Sequence, residues 1–152
     1  MIEIGTNHFG EIAYLSTIAE PTHALITNVG REHLEFFGTV EGVAKAEGEV
    51  LDWLRKNRRG KAIAFINRDD QHLSRQSVGL HKILTYGFGN EPATVRGKLR
   101  GFDDVACARF EVKPRAKKAF QIELAVPGRH NALNALAAAT VGLAFSVPTI
   151  RP

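Results

Sequence analysis

The chain has 152 residues, 44% hydrophobic and 24% charged, with a net charge of +4. That is enough for one compact core and cramped for two independent domains, while unremarkable Gly and Pro and the lack of any repeat exclude a disordered or low-complexity chain. Cys107 is the single cysteine and cannot close an internal disulfide, no charged-then-apolar leader opens the sequence, and the longest apolar run, residues 135–145, is shorter than the roughly 20 residues of a membrane span, so a cytoplasmic protein without a membrane partner is expected.

Residues 1–4 read as a strand that starts in mid-fold and runs into Gly5-Thr6-Asn7. A helix over residues 10–19 is stopped by Pro21, and residues 24–29 form an apolar run of the kind found in buried parallel strands. A loop containing His33 leads to a helix over residues 39–55. At about 100° per residue, Val40, Val43, Val50, Leu51 and Leu54 make one apolar stripe on that helix with Glu47 in its middle, while Lys45, Glu49 and Asp52 project from the other side. A buried carboxylate needs a cation or hydrogen-bond donors beside it. Residues 61–67 are a second buried strand, 71–77 a short helix and 82–87 a further strand, so residues 1–90 alternate strand and helix as a parallel sheet requires.

The pattern changes after Asn90. Residues 94–99, 105–112 and 120–126 read as antiparallel strands within a segment spanning 91–127, joined by Gly101-Phe102-Asp103-Asp104 and by a basic loop at 113–118. Residues 128–147 hold an Ala-rich helix from 131 to 145, with Asn131 near its N-cap. The expected fold class is α/β: a mostly parallel sheet flanked by helices, with a small additional antiparallel sheet.

Two basic clusters, residues 55–61 and 113–118, fit a helix end and a hairpin loop. Neither is interleaved with aromatics as stacking platforms are, so no nucleic-acid partner is expected. Glu3 lies at or near the C-terminal end of the first strand and His33 follows the second, at the edge where open α/β sheets bind ligands. With Glu47 they compose a set suited to a hard divalent cation, or else a hydrogen-bonded strand-end glutamate, an exposed loop histidine and a helix glutamate paired with Arg or Lys. Asn131 and Asn134 share a helix face; their amides either read a nucleobase edge or serve as a cap and a surface amide. Neither Gly60-Lys61-Ala62 nor Gly97-Lys98-Leu99 completes the phosphate-cradling GxxxxGK[ST] pattern.

Four segments in order resemble the central domain of the Mur ligases. They are Glu3-Ile4-Gly5-Thr6-Asn7-His8-Phe9-Gly10-Glu11-Ile12, Ile26-Thr27-Asn28-Val29-Gly30 with His33-Leu34-Glu35-Phe36-Phe37-Gly38, Asn67-Arg68-Asp69-Asp70, and residues 127–137, which open with Pro127-Gly128-Arg129-His130-Asn131. The resemblance implies an ATP-dependent amide ligase of peptidoglycan synthesis in which the γ-phosphoryl group of ATP passes to a substrate carboxylate and an amine attacks the acyl phosphate. It implies Mg2+ at Glu3 and His33, ATP contacts at His130, Asn131 and Asn134, and Thr27 and Asn28 near a UDP-N-acetylmuramoyl-peptide, with D-alanyl-D-alanine as the second substrate. Many relatives place a carbamylated lysine where this chain has Glu47, which implies that Glu47 supplies the same charge directly, as a catalytic group with His33.

The family's phosphate loop precedes the residue matching Glu3, and its C-terminal domain follows the residue matching Pro152. The expectation is therefore a fragment that is inactive alone, with an exposed sheet edge through which two chains could pair. The rivals are a superfamily ligase of the folylpolyglutamate or cyanophycin synthetase type, a non-catalytic nucleotide- or partner-binding module, and a metal-dependent phosphoesterase.

Overall fold

Five consecutive buried residues, Ile63–Asn67, form strand β2, which bears out the buried strand read within residues 61–67. The computed structural model describes residues 1–31, 33–57 and 62–148. By its contacts the chain falls into two compact units, residues 1–66 with 70–83, and residues 67–69 with 84–152.

In the first unit, helix α1 (Glu11–Ala19) leads to strand β1 (His23–Ile26), followed by helices α2 (Leu34–Phe37), α3 (Val40–Glu47) and α4 (Glu49–Lys56), then β2 and helix α5 (Gln71–Gln76). β1 and β2 run parallel with His23 opposite Ile63 and Ile26 opposite Ile66. Ala24, Leu51, Leu54, Ala64, Ile66 and Leu73 pack into one apolar cluster, and Phe37, Val43 and Ala46 into a second. Val29 packs against both.

Strand β3 (Ile83–Gly87) starts in the first unit and continues into the second. Ala64 N–H donates to the Lys82 carbonyl and Arg68 N–H to the Tyr86 carbonyl, the same sequence offset at both points, as parallel strands give. The second unit adds strands β4 (Val95–Phe102), β5 (Cys107–Pro114) and β6 (Phe120–Pro127) and helix α6 (Arg129–Ala144). β4 is parallel to β3, while β5 and β6 are antiparallel to their predecessors. The strand order is β1-β2-β3-β4-β5-β6 in one sheet. The antiparallel strands are thus present as expected, but the Tyr86–Val95 pairing makes them a continuation of the parallel sheet rather than an additional one.

Three local expectations are corrected. Residues 1–4 form no strand: the segment has no ladder partner among the described residues, and Ile2 is exposed. A strand's geometry is maintained by its neighbour, not by a short stretch of apolar and β-branched residues alone. The long helix is two, α3 and α4, meeting at Gly48, against whose Cα the Gln76 side chain lies while its Nε2 donates to the Ala44 carbonyl (2.7 Å). α6 starts at Arg129 rather than at residue 131: Gly128 is its cap, and Asn131, near that cap as expected, donates its N–H to the Gly128 carbonyl (3.1 Å) to close the first turn. In the basic hairpin loop, Lys117 Nζ donates to the Leu143 carbonyl (3.1 Å), where the C-terminal end of α6 favours a cation. Arg58, Arg59, Gly60 and Lys61 of the other cluster lie outside the described residues. No described helix is long and apolar enough to cross a membrane.

Candidate functional site

β1 ends at Ile26 and the chain continues through residues 27–30 without regular structure. Thr27 and Asn28 are exposed there, and Val29 turns inward, its N–H donating to Asp70 Oδ2 (2.7 Å). The other oxygen of Asp70 accepts from His72 N–H (2.9 Å) and Leu73 N–H (3.1 Å), capping α5. One aspartate after β2 therefore holds both the loop after β1 and the helix that follows it.

His33 sits at the N-terminal end of α2 in the left-handed region, φ 59°. Its carbonyl accepts from Phe36 N–H and Phe37 N–H (2.9 and 3.1 Å), so the conformation is fixed by the turn it starts. Its exposed imidazole stands 6.3 Å from the Phe36 ring, and the His8 ring stands 5.5 Å from the same phenyl. Glu47 is the last residue of α3, a helix capped by Thr39, whose hydroxyl accepts from Gly42 N–H (3.1 Å). Glu47 is partly buried and its Oε2 is shut off from solvent. Glu3 is exposed in the irregular segment before α1. Among the described residues no three His, Cys, Asp or Glu side chains gather as a metal-holding group. Among the described residues Glu3, His33 and Glu47 therefore do not form a three-ligand group by themselves.

Two carboxylates that the sequence reading left without a role organise the start of α1. Glu11 Oε2 accepts from Asn7 N–H (2.7 Å), His8 N–H (3.0 Å) and the Thr6 hydroxyl (3.0 Å). Glu49, expected on the solvent side of its helix, accepts instead from Gly10 N–H (2.7 Å) and Ala13 N–H (2.9 Å). It caps the start of α1 from across the fold, which periodicity alone does not reveal.

The Asn7 and His8 amides and the Thr6 hydroxyl hold the Glu11 carboxyl down at about 2. The unfolded reference is about 4.3. A depressed folded value means that this stabilisation is complete above the unfolded pKa and is lost as pH falls through the folded one. Amide exchange at Asn7 and His8 is expected to accelerate between about pH 4.3 and pH 2 beyond the ordinary pH trend of exchange. Glu11→Gln, with nothing to titrate, removes that added dependence; the same profile in both proteins would contradict the assignment.

In the second unit, Asp69 organises the end of β3. Its carboxylate accepts from Phe88 N–H (2.6 Å) and Gly89 N–H (2.9 Å), and its own N–H donates to Asn67 Oδ1 (3.0 Å). A Cβ on Gly87 or Gly89 would lie 2.6 Å from Asp69 Oδ1, which explains both glycines of Gly87-Phe88-Gly89 as room for a carboxylate. Asn131 and Asn134 share one face of α6; Asn131 Nδ2 donates to the Pro127 carbonyl (2.7 Å), and Asn134 is exposed. The exposed His130 ring lies over Gly128, whose φ of 109° and 2.7 Å approach from Cβ to His130 Cε1 exclude a side chain there. The Asn131 amide is thus already engaged in fixing the helix start, and the Asn134 amide is presented to solvent.

Residues 1–142 match the profile of the Mur ligase middle domain. Among curated relatives, the UDP-N-acetylmuramoyl-tripeptide–D-alanyl-D-alanine ligase of Escherichia coli (strain K12) is 35% identical over 145 residues, covering 94% of this chain and 31% of the relative. A crystal structure of MurF from Acinetobacter baumannii superposes with a TM-score of 0.81 at 28% identity, covering 96% of this chain and 31% of that one. MurF ligase from Thermotoga maritima in complex with ADP gives a TM-score of 0.74 at 26% identity over 93% of this chain and 32% of that one. The chain spans about a third of the length of these relatives.

Proposed function

The chain belongs to the Mur ligase middle-domain family, and from that membership we propose that it is the central segment of an ATP-dependent ligase that joins D-alanyl-D-alanine to a UDP-N-acetylmuramoyl-tripeptide in peptidoglycan synthesis. The observation that carries the reading is the 35% identity to a ligase of that specificity over 94% of the chain. In this reading, Thr27 and Asn28 face the muramoyl-peptide from the loop that Asp70 anchors, and Asn134 and His130 face the nucleotide from α6 while Asn131 fixes the start of that helix. Pairing of two chains through the outer edge of β1 belongs to the same proposal and is read as a concentration-dependent mass in sedimentation.

The direct test supplies the complete protein with ATP, UDP-N-acetylmuramoyl-tripeptide and D-alanyl-D-alanine, and follows the pentapeptide product by mass. ADP release that requires both peptide substrates is the expected result. A second reading, addition of L-alanine to UDP-N-acetylmuramate, is favoured by a relative of that type from Clostridium botulinum (strain Alaska E43 / Type E3) at 31% identity over 84% of the chain. ADP release with that substrate pair and none with the peptide pair would replace the first reading by the second.

In the same reading Glu47 takes the place of the modified lysine of many relatives; it is a carboxylate carried by α3 with one oxygen enclosed by protein. Replacing it with the isosteric, neutral Gln removes the charge and keeps the shape. Glu47→Gln in the complete enzyme is expected to lower turnover about 10- to 100-fold and to raise the Mg2+ concentration for half-maximal rate, the scale seen when groups that orient a metal site are changed. Kinetics unchanged from wild type would end this role for Glu47.

A further inference from the structure

Resting on the ligase reading above, we infer that Asp70 is a positioning residue for the muramoyl-peptide loop, tying Thr27 and Asn28 to the end of β2. The geometry divides the carboxylate between two tasks. Oδ1 takes the His72 and Leu73 amides that open α5, and Oδ2 takes the Val29 amide across the fold at 2.7 Å. Asp70 stands three residues after the end of β2, so the carboxylate is anchored by a buried strand on one side and a capped helix on the other. Val29 is anchored a second way, because its side chain packs against both apolar clusters of the first unit. A backbone fixed at Val29 by packing and by an ionic acceptor, and at Ile26 by the β1 ladder, leaves residues 27 and 28 as a short exposed bridge with little freedom.

The requirement is for an aspartate rather than for any capping residue. Asn in its place keeps Oδ1 for the helix cap but turns an amide NH2 toward the Val29 N–H, donor against donor. Ser keeps a cap of similar quality and has no second oxygen. Both changes therefore separate the tie to Val29 from the stability of α5.

The experiment measures steady-state kinetics of the complete enzyme carrying Asp70→Asn or Asp70→Ser, together with amide exchange in the 152-residue chain. The expected result is a KM for UDP-N-acetylmuramoyl-tripeptide raised about tenfold, the worth of one charge-assisted hydrogen bond, with kcat and the KM for ATP within about twofold of wild type. Val29 exchange accelerates while His72 and Leu73 stay protected. A fall in kcat with both KM values altered alike overturns the inference, because a merely structural aspartate would do that. Should Asp70→Asn not fold, Asp70→Ser carries the same test. An unchanged muramoyl-peptide KM in an active enzyme overturns the positioning role and leaves the ligase reading standing. Absence of ligase product from the wild-type enzyme overturns both.

Discussion

Incubated alone with ATP, Mg2+, UDP-N-acetylmuramoyl-tripeptide and D-alanyl-D-alanine, the 152-residue chain is expected to release no phosphate above the blank, in contrast to the turnover expected of the complete ligase proposed above. Phosphoryl transfer depends on donors and cations arranged around the γ-phosphate, and a single such group is worth about 1,000- to 100,000-fold in rate. No GxxxxGK[ST] pattern occurs among these 152 residues. The amides that otherwise invite an anion, those before and in the first turn of α1, are occupied by the chain's own carboxylates. Glu11 holds Asn7 and His8, and Glu49 holds Gly10 and Ala13. A phosphate placed there would have to displace two carboxylates and meet their charge. The described residues also assemble no three-ligand metal group. Phosphate release by the purified chain that requires both peptide substrates would overturn the expectation and give this segment a nucleotide site of its own.

The parts of the fold that were legible in the sequence are those in which the reason for an element lies within the element. β2 is buried along its whole length and its sequence is apolar along nearly all of it. Thr39 begins α3 through its own hydroxyl, and the antiparallel strands alternate as their faces demand. Where the reason lies elsewhere in the chain, the sequence was silent or misleading. Glu49 belongs to the polar side of its helix by angle, yet that side meets the start of α1, so its charge is used as a cap. Glu3 lies in a segment whose strand-like composition finds no partner among the described residues.

The candidate site divides in the same way. The close approach of Asp69 to Gly87 and Gly89 is visible only in the folded chain. An N-cap at Asp70 was readable from an aspartate directly before a short amphipathic helix. Its second hydrogen bond, to Val29, joins residues 41 apart and leaves no local signature. Motif resemblance marked Asn67-Arg68-Asp69-Asp70 as one unit. Physically it is two devices, one carboxylate for the end of β3 and one for the loop after β1.

Phe110→Ala is expected to be the most destabilising single change in the second unit. Phe110 is 1% exposed in the middle of β5, opposite Leu99 of β4 and Ile122 of β6, and its ring meets that of Phe88 edge-on at 5.3 Å between centroids. Truncation removes that contact and leaves a cavity between strands paired on both sides, which cannot collapse without breaking the ladder. The cost for a buried phenylalanine is about 3–5 kcal/mol, and in a chain of this size that lowers the unfolding midpoint by about 10 °C, readable by far-UV circular dichroism. Phe110→Leu, which refills most of the volume, should cost no more than about 1.5 kcal/mol. The consequence reaches the proposed nucleotide side, because α6 packs on β5 and β6 and carries His130, Asn131 and Asn134. Faster amide exchange along α6 is expected in the alanine variant, since the helix loses part of the apolar surface that seats it. A wild-type melting profile for Phe110→Ala would mean that the antiparallel strands and α6 are held by something other than this packing.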